Sequence, residues 1–429
     1  MEVLLFITTL AIAVMGLLSW QSKLPSWERP WIAMSFLAHV VSSVVLILMT
    51  KYFFGGGDLL AYHYRGLQSV ALLQSDLVTY TKPFLLYLVG KESGINLDFE
   101  GTSTGSMIAL STWLNLPLPG YLYVQSLIIA LVGFFCKYLI YCSFSLFFNP
   151  KLHRYVLWAT MLLPSAVFWT SGMLKEPMAM IGMGPLVYGS ICLVLRRGYL
   201  KGIALVLLGG GIVSIFKAYI LFPWLLAMLI GFFWQSQISS PSKKKSIYQP
   251  VYLLLIVAMA LGGIVLLGEL FPRYSFSSIS KEIGNLQVIG QRTSGGSNYM
   301  VSSAPARDSS TQLLMLPLGL FFSLFRPFIF EARNAALLLN ALETTFFLFL
   351  WGRLLFVQGI RRTVRLILGT PGIMGGLLFV VLFGAVVGIA TTNIGTLSRY
   401  RIPMMPFYVS ILLLLSYAPK MSSSSPNAR

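Results

Sequence analysis

The chain has 429 residues, of which 56% are hydrophobic and 10% are charged, and its mean hydropathy is +0.78. No soluble globular fold buries that much apolar surface, and apolar runs of about twenty residues recur along the sequence, so a helical membrane protein is predicted. Basic cytoplasmic loops account for the net charge of +18, and binding of nucleic acid is therefore not predicted.

The topology follows from placing the basic loops in the cytoplasm. The first apolar run, 2–18, has neither the basic start nor the cleavage site of a signal peptide, so it is predicted to be a retained helix. The N-terminus is then outside and the C-terminus inside, with about eleven crossings. The predicted crossing helices are 2–18, 31–53, 120–148, 155–171, 178–195, 202–216, 219–234, 250–270, 335–357, 373–390 and 402–418.

These runs predict an all-α, polytopic integral membrane protein with a single membrane domain, 1–420, and a disordered cytoplasmic tail, 421–429. Prolines interrupt two further apolar stretches, 105–118 and 312–333, which are predicted to be re-entrant or interfacial segments. Outer-face loops are predicted at 54–104, 272–311 and 391–402.

This topology places five polar motifs on the non-cytoplasmic side. The positive-inside bias gives no reason for the arginines that they contain, so a shared outer-face site is predicted. The motifs are GGGDLLAYHYRG (55–66), SGMLKEP (171–177), QRTSGGSNY (291–299), FRPFIFEAR (325–333) and NIGTLSRYRIP (393–403).

The basic residues of these motifs predict a polyanionic substrate. Arg399 and Arg401 flank Tyr400 at the mouth of the last helix. Guanidinium groups bind phosphate oxygens bidentately and remain charged. The predicted diphosphate-binding residues are Arg399, Arg401, Arg326, Lys175, Arg333 and Arg292, with Glu331, Tyr62 and Tyr400 in supporting positions.

Each motif also has a structural interpretation. Arginines at helix ends commonly extend to lipid head groups, and Arg326 and Arg333 bracket Glu331 as partners for an ion pair. Lys175 and Glu176 are the turn of an interfacial hairpin under the same interpretation. Adjacent residues of a helix do not face each other, so these two side chains are expected to have different partners.

Three residues are candidate general bases: Asp58, His63 and Glu176. Asp58 follows three glycines that allow close backbone approach, and His63 has the imidazole pKa range suited to proton transfer, although a histidine in a loop is more often a surface residue. No spacing matches a metal-ligand cluster, a Walker loop or a Ser-His-Asp arrangement. No cofactor and no structural metal are predicted, and Mg²⁺ bridging Asp58 to a diphosphate is left open.

At GGGDLLAYHY, FWTSGMLKEP, FRPFIFEARNAALLLNALE and NIGTLSRYRIPMMPF, the chain resembles multi-span proteins of bacterial exopolysaccharide and O-antigen gene clusters, the polymerase-like and glycosyltransferase-C-like group. The resemblance implies a multi-pass protein of the bacterial inner membrane that transfers saccharide from an undecaprenyl-diphosphate carrier to an acceptor hydroxyl. It also implies membrane lipids and other polysaccharide-synthesis membrane proteins as partners. Only Asp58 stands where many such transferases carry an acidic pair, and the loop 272–311 has no histidine.

Two other functions are compatible with this sequence. A flippase or exporter of lipid-linked saccharides predicts an internal repeat and polar residues at mid-membrane depth. No persuasive repeat is evident, and Lys217, beside the glycine run 209–211, is the residue that best fits that function. The third hypothesis is a non-catalytic membrane subunit of an envelope assembly.

Overall fold

The computed structural model describes residues 1–238, 309–391 and 393–417, together with the isolated residues 258, 262, 281 and 284. Helices account for 83% of the described residues, and no strand is found among them, which confirms the predicted all-α class. Four predicted features lie wholly or mostly outside the described residues: the helix 250–270, the outer-face loop 272–311, Arg292 with its motif QRTSGGSNY, and the tail 421–429.

The helices are numbered here in chain order over the described residues. They are α1 Glu2–Gln21, α2 Arg29–Leu48, α3 Asp58–Ser75, α4 Leu77–Leu88, α5 Ser103–Asn115, α6 Leu122–Ser145, α7 His153–Met161, α8 Pro164–Trp169, α9 Lys175–Val194, α10 Tyr199–Lys217, α11 Leu221–Ile238, α12 Ser309–Phe325, α13 Ala335–Arg353, α14 Ile360–Gly369, α15 Pro371–Ala390, α16 Ile394–Tyr400 and α17 Met405–Tyr417.

Several helices begin where a polar side chain caps the first free backbone amides. The Thr102 hydroxyl accepts from the Gly105 amide at 3.1 Å ahead of α5, and Asn334 accepts from the Leu337 amide at 2.9 Å ahead of α13. Asn393 caps α16 through two backbone amides. Because the first four amides of a helix lack an intrahelical acceptor, these caps fix the starts of α5, α13 and α16.

Seven helices in the described part are long and apolar enough to cross a membrane, or eight if the bent pair Ile394–Tyr400 and Ile402–Tyr417 is one span. The chain is therefore a multi-pass membrane protein. The seven candidate spans are Glu2–Gln21, Arg29–Phe53, Leu122–Ser145, Lys175–Val194, Tyr199–Ser236, Ala335–Gln358 and Pro371–Ala390.

The count of eight, which includes the bent pair, differs from the predicted eleven for three reasons. The helix 250–270 lies outside the described residues. The predicted helix 155–171 is divided into α7 and α8 because Pro164 forces Leu163 into an extended conformation. The predicted helices 202–216 and 219–234 satisfy the criterion together as one stretch, Tyr199–Ser236, of 38 residues. A helix of that length measures about 57 Å, roughly twice the hydrocarbon thickness, so eleven crossings stay a prediction.

Backbone packing divides the chain into two compact units. Unit 1 comprises Met1–Ser143 and Thr160–Phe222, and unit 2 comprises Phe144–Ala159 and Pro223–Arg429. Each unit therefore draws on two separate stretches of sequence, and each is described by itself below.

In unit 1, α9 and α10 form a closely packed antiparallel pair. A Cβ atom added to Gly209 would lie 2.4 Å from the Gly182 carbonyl oxygen, and one added to Gly189 would lie 2.7 Å from the Gly202 carbonyl oxygen. Small residues seven positions apart on each helix thus form one contact seam, as is common where membrane helices approach each other. This seam sets the register that brings the start of α9 to the end of α10.

In unit 2, α12 and α15 make an equivalent contact. A Cβ added to Gly388 would lie 1.8 Å from the Gly319 carbonyl oxygen, and one added to Gly384 would lie 2.9 Å from the Ser323 hydroxyl. Aromatic rings complete the core of this unit, with the rings of Phe379 and Phe407 at 5.0 Å between centroids. The contact fixes the C-terminal end of α12, which leads into FRPFIFEAR.

Candidate functional site

Lys175 is the first residue of α9, and its side chain lies beside the start of another helix of unit 1, α5. Its Nζ donates to Ser103 Oγ at 2.9 Å and to Thr104 Oγ1 at 3.0 Å, and lies 6.0 Å from the centroid of the Tyr62 ring. Both hydroxyls belong to the first turn of α5. The half-buried ammonium therefore lies beside two helix N-termini, where backbone dipoles also favour an anion.

Asp58 lies on the same side of unit 1. The three preceding glycines have φ angles of +67°, +134° and +146°, which L side chains rarely adopt, so the sequence GGG is required by the turn. Asp58 is the exposed first residue of α3, and it shares a helix face with Tyr62 four residues later. We call Asp58, Tyr62, Ser103, Thr104 and Lys175 the Lys175 cluster.

His63 is buried, unlike Asp58. Its Nδ1 lies 3.2 Å from Gln125 Oε1, and the Gln125 amide group donates to Asn115 Oδ1 at 3.0 Å and to the Leu118 carbonyl at 2.8 Å. Burial lowers the pKa of His63, and the bond to Gln125 and the charge of Glu2 oppose this effect. The imidazole therefore joins α3 to α6 as a neutral group, and its predicted role as a base stays a prediction.

Glu176 is also buried and has a cationic partner. Its Oε1 accepts from Lys217 Nζ at 2.7 Å, and the two side chains are 0% and 3% exposed. The expectation that Lys175 and Glu176 have different partners is thus confirmed, because Lys175 binds hydroxyls of α5 and Glu176 binds the end of α10.

In unit 2, Arg401 is fully buried. Its Nη1 donates to the carbonyl oxygens of Ser323 at 3.2 Å and Arg326 at 2.7 Å, and its Nη2 donates to Thr344 Oγ1 at 3.2 Å. The guanidinium thereby joins the motif NIGTLSRYRIP to the end of α12 and to α13. These contacts use the guanidinium to bind two backbone carbonyls and a hydroxyl of the protein itself. The diphosphate-binding role of Arg401 stays a prediction.

Arg326 and Glu331 form the ion pair that the structural interpretation predicts. Arg326 Nε donates to Glu331 Oε2 at 3.1 Å, and Arg326 Nη2 donates to Glu331 Oε1. The same carboxylate accepts from the Phe328 amide at 2.9 Å, so it organises the turn that follows α12. Arg333 is exposed, and the Arg399 guanidinium is half-buried, 5.9 Å from the Tyr400 ring centroid.

The structure brings the predicted motifs together in two pairs. GGGDLLAYHYRG and SGMLKEP meet at the Lys175 cluster of unit 1. FRPFIFEAR and NIGTLSRYRIP meet at Arg401 in unit 2. The single outer-face site that includes both pairs stays a prediction.

Two basic residues of unit 1 were not among the predicted site residues. His39 and Lys137 are both 0% exposed, and both belong to candidate membrane spans. A sequence signal exists, because an ionisable residue inside an apolar run is costly and usually functional. Positive-inside counting passes over such isolated residues.

Within the described ranges, no group of three or more His, Cys, Asp and Glu side chains is arranged to hold a metal ion. No family model, no curated protein and no solved structure matches this chain.

Proposed function

We propose that the chain is a glycosyltransferase of the polysaccharide polymerase type, acting on undecaprenyl-diphosphate-linked saccharides in bacterial surface polysaccharide synthesis. The observation that carries this proposal is the Lys175 cluster, where an ammonium group, two hydroxyls and two helix starts lie beside the helix face of Asp58. The cluster combines a site for an anion with an accessible carboxylate. The proposal includes eleven crossings, an external N-terminus, an internal C-terminus and the bacterial inner membrane.

In this proposal Lys175 binds the diphosphate of the lipid carrier. Ser103 and Thr104 orient the ammonium, and the N-termini of α5 and α9 add partial positive charge. Positive charge fixed in advance stabilises the diphosphate most when the glycosidic bond breaks and negative charge accumulates. The half-buried position of Lys175 strengthens this effect, since water screens it less.

Asp58 is the proposed general base. It accepts the proton of the acceptor hydroxyl while that oxygen bonds to the anomeric carbon, and the electron pair of the broken bond leaves with the diphosphate. Asp58 is preferred over the other two candidates because it is exposed, whereas His63 and Glu176 are buried. We assign His63 and Glu176 to positioning α3 and α9.

The arginines of unit 2 have separate proposed roles. Arg399 and Arg333 are the accessible cations and are proposed to bind phosphate or saccharide oxygens. Arg401 and Arg326 position the segments that carry them. Membrane lipids and other membrane proteins of polysaccharide synthesis are the proposed partners.

The proposal is tested with purified protein in vesicles that contain an undecaprenyl-diphosphate-linked repeat unit, with product length measured on gels. We expect Lys175→Met and Asp58→Asn each to lower the rate by about 100-fold or more. Lys82→Met, at an exposed lysine of α4, is the matched control and keeps the full rate. Full activity of both cluster variants would refute the assignment.

A flippase or exporter of lipid-linked saccharides is the second candidate function, and one observation favours it. Polar residues near mid-membrane depth are typical of transporters, and His39 and Lys137 are buried inside candidate spans. Vesicles that hold a labelled lipid-linked saccharide in one leaflet distinguish the two functions. A transporter moves the label to the other leaflet without forming a glycosidic bond.

A further inference from the structure

Two basic side chains of unit 1 lie near the middle of their membrane helices. His39 belongs to the span Arg29–Phe53 and Lys137 to the span Leu122–Ser145. At 1.5 Å per residue, each lies within roughly 5 Å of the midpoint of its span. Both side chains are 0% exposed. Neither residue belongs to the Lys175 cluster.

Contacts within unit 1 bring the two residues to one place. The ring of His39 packs against Phe134 of α6, with 5.5 Å between the centroids. Phe134 and Lys137 are three residues apart, so they occupy the same face of α6. Lys137 therefore faces α2, and it lies within electrostatic range of His39.

Residues 161–166, at the end of α7 and the start of α8, form the third side of the space around His39 and Lys137. Lys137 Nζ donates to the Ala166 carbonyl oxygen at 3.4 Å, and Ser35 Oγ, one turn before His39, donates to the Met161 carbonyl oxygen at 2.6 Å. The two basic groups are thus enclosed by α2, α6 and this segment. Among the described residues, the groups that face them are hydroxyls, carbonyl oxygens and the Phe134 ring, and no carboxylate contacts either one.

Hydrogen bonding fixes which nitrogen of His39 carries the proton. Nδ1 lies 2.7 Å from the Ser35 carbonyl oxygen, and a carbonyl oxygen only accepts, so Nδ1 is the donor. In the neutral ring Nε2 is then an acceptor, and it is buried with no hydrogen-bond partner among the described residues. The Lys137 ammonium is a donor, and its described acceptor is one carbonyl at 3.4 Å.

We propose that His39 and Lys137 form an intramembrane proton-binding site in which a single proton is exchanged between Lys137 Nζ and His39 Nε2. An N–H bond of the ammonium breaks and an N–H bond forms at Nε2 through one intervening water, because Nε2 has no direct hydrogen-bond partner among the described residues. The lysine becomes a neutral amine, the imidazole becomes imidazolium, and the net charge of the pair stays at +1. Two full charges at this depth would repel each other without the screening of water.

The bound species of this site is a proton, and the site is independent of the Lys175 cluster. It gives the chain a proton-binding step in the interior of the membrane, where pumps and transporters place such groups. The proposal does not depend on the proposed transferase function.

The test is NMR spectroscopy of the full chain in lipid nanodiscs, with ¹⁵N-labelled histidine and lysine. At neutral pH, we expect His39 to show a protonated Nδ1 and an unprotonated, hydrogen-bonded Nε2. Lys137→Met removes the donor and shifts the Nε2 resonance of His39. The control, Lys82→Met, leaves that resonance unchanged.

Two results would overturn the proposal: a proton on Nε2 with a bare Nδ1, or a His39 spectrum that is unaffected by Lys137→Met. If Lys137→Met does not fold, Lys137→Gln replaces it, and the tautomer in the unaltered chain is itself decisive. His153 lies outside this site and provides the reference signal for the His39 spectrum. Its Nε2 lies 2.9 Å from the Phe148 carbonyl oxygen, so the nitrogen that carries its proton is known.

Discussion

Lys217 in unit 1 and Arg401 in unit 2 are buried cations that bind different kinds of partner. In unit 1, Lys217 at the end of α10 pairs with the opposite charge of Glu176 at the start of α9. In unit 2, Arg401 binds the carbonyl oxygens of Ser323 and Arg326, which are left without an intrahelical donor where α12 ends. A guanidinium with five donors can satisfy several carbonyls, whereas the Lys217 ammonium is paired with one carboxylate.

This difference separates binding residues from structural ones. The sequence assigns Lys175 and Arg401 the same role, since both lie in polar motifs predicted on one face. The Lys175 ammonium donates to two hydroxyls of α5, lies near the Tyr62 ring and is half-buried. Arg401 is fully buried against backbone. Accessibility and the partner, rather than residue type, distinguish the two roles.

The largest effect is expected from breaking the ion pair of unit 1. Glu176→Gln leaves the Lys217 ammonium buried without its carboxylate, and we expect the free energy of unfolding to fall by about 3–5 kcal/mol. Thermal unfolding in detergent measures this change. The double variant Glu176→Leu with Lys217→Leu recovers most of it, because neither charge then remains.

The control is an exposed pair of the same unit. Arg65 and Asp98 lie 2.9 Å apart with side chains 43% and 81% exposed, so Asp98→Asn is expected to change stability little. Equal effects of Glu176→Gln and Asp98→Asn would show that burial of the pair is unimportant.

The next effect is expected at Arg401. Arg401→Met leaves the carbonyls of Ser323 and Arg326 and the Thr344 hydroxyl without their donor, and we expect the free energy of unfolding to fall by about 3 kcal/mol. Arg401→Lys restores only part, since an ammonium does not reproduce the planar fork. Thermal unfolding again measures the change, with Arg333→Met at an exposed position as control. An Arg401→Lys variant as stable as the unaltered chain would contradict the comparison.

Alanine substitutions at the glycine contacts between helices are expected to lower stability by a smaller amount in both units. In unit 1, Gly209→Ala is expected to cost about 1–3 kcal/mol because the new methyl meets Gly182 and Leu186. Gly210→Ala and Gly211→Ala, on the same helix, add a methyl where no atom lies within 4 Å. They are expected to be neutral or slightly stabilising, since alanine favours helix over glycine. The order of thermal unfolding midpoints in detergent checks this prediction.

The matching experiment in unit 2 compares Gly388→Ala, which meets the backbone of Gly319, with Gly352→Ala, which meets nothing within 4 Å. We expect only the first to lower the midpoint of thermal unfolding. If both glycine contacts tolerate alanine, the helix pairs are not held by close approach.

The smallest effect is a local pH dependence in unit 1. The Glu100 carboxylate accepts hydrogen bonds from the Ser93 hydroxyl and from the Leu97 and Ser93 amides. These hydrogen bonds hold the pKa of Glu100 below its ordinary value. The folded loop is therefore fully stabilised above about pH 4.5, the ordinary value, and loses this contribution as the pH falls through the lowered pKa. Hydrogen exchange of the 93–97 amides, compared with Glu100→Gln, measures it. Exchange that accelerates equally in both chains on acidification would exclude this carboxylate as the cause.

Part of the fold follows from hydropathy alone. The predicted helices 31–53 and 373–390 correspond to Arg29–Phe53 and Pro371–Ala390, because a run of apolar residues long enough to cross the membrane must satisfy its own backbone as helix. The break at Pro164 was visible in the sequence but was not predicted, since the surrounding run is apolar enough to suggest a single helix.

For the candidate site, the sequence predicted which motifs contribute residues but not how those residues are arranged. Asp58, Tyr62 and Lys175 were selected from polar motifs, and the structure places Lys175 near the Tyr62 ring, four residues after Asp58 on the same helix. No distance between α3 and α9 follows from the sequence, which therefore did not distinguish the exposed Asp58 from the buried His63 and Glu176.

By itself the sequence determined a helical, multi-pass membrane protein whose polar motifs interrupt apolar runs. The reason is that the length and hydropathy of each apolar run depend only on residues that are neighbours in the chain. Only the tertiary structure decided the partner of each charge: a lysine for Glu176, backbone carbonyls for Arg401, hydroxyls for Lys175 and a histidine near Lys137. The physical reason is that such partners depend on which helix faces meet. That choice depends on the small-residue seams and caps of helices far apart in the chain.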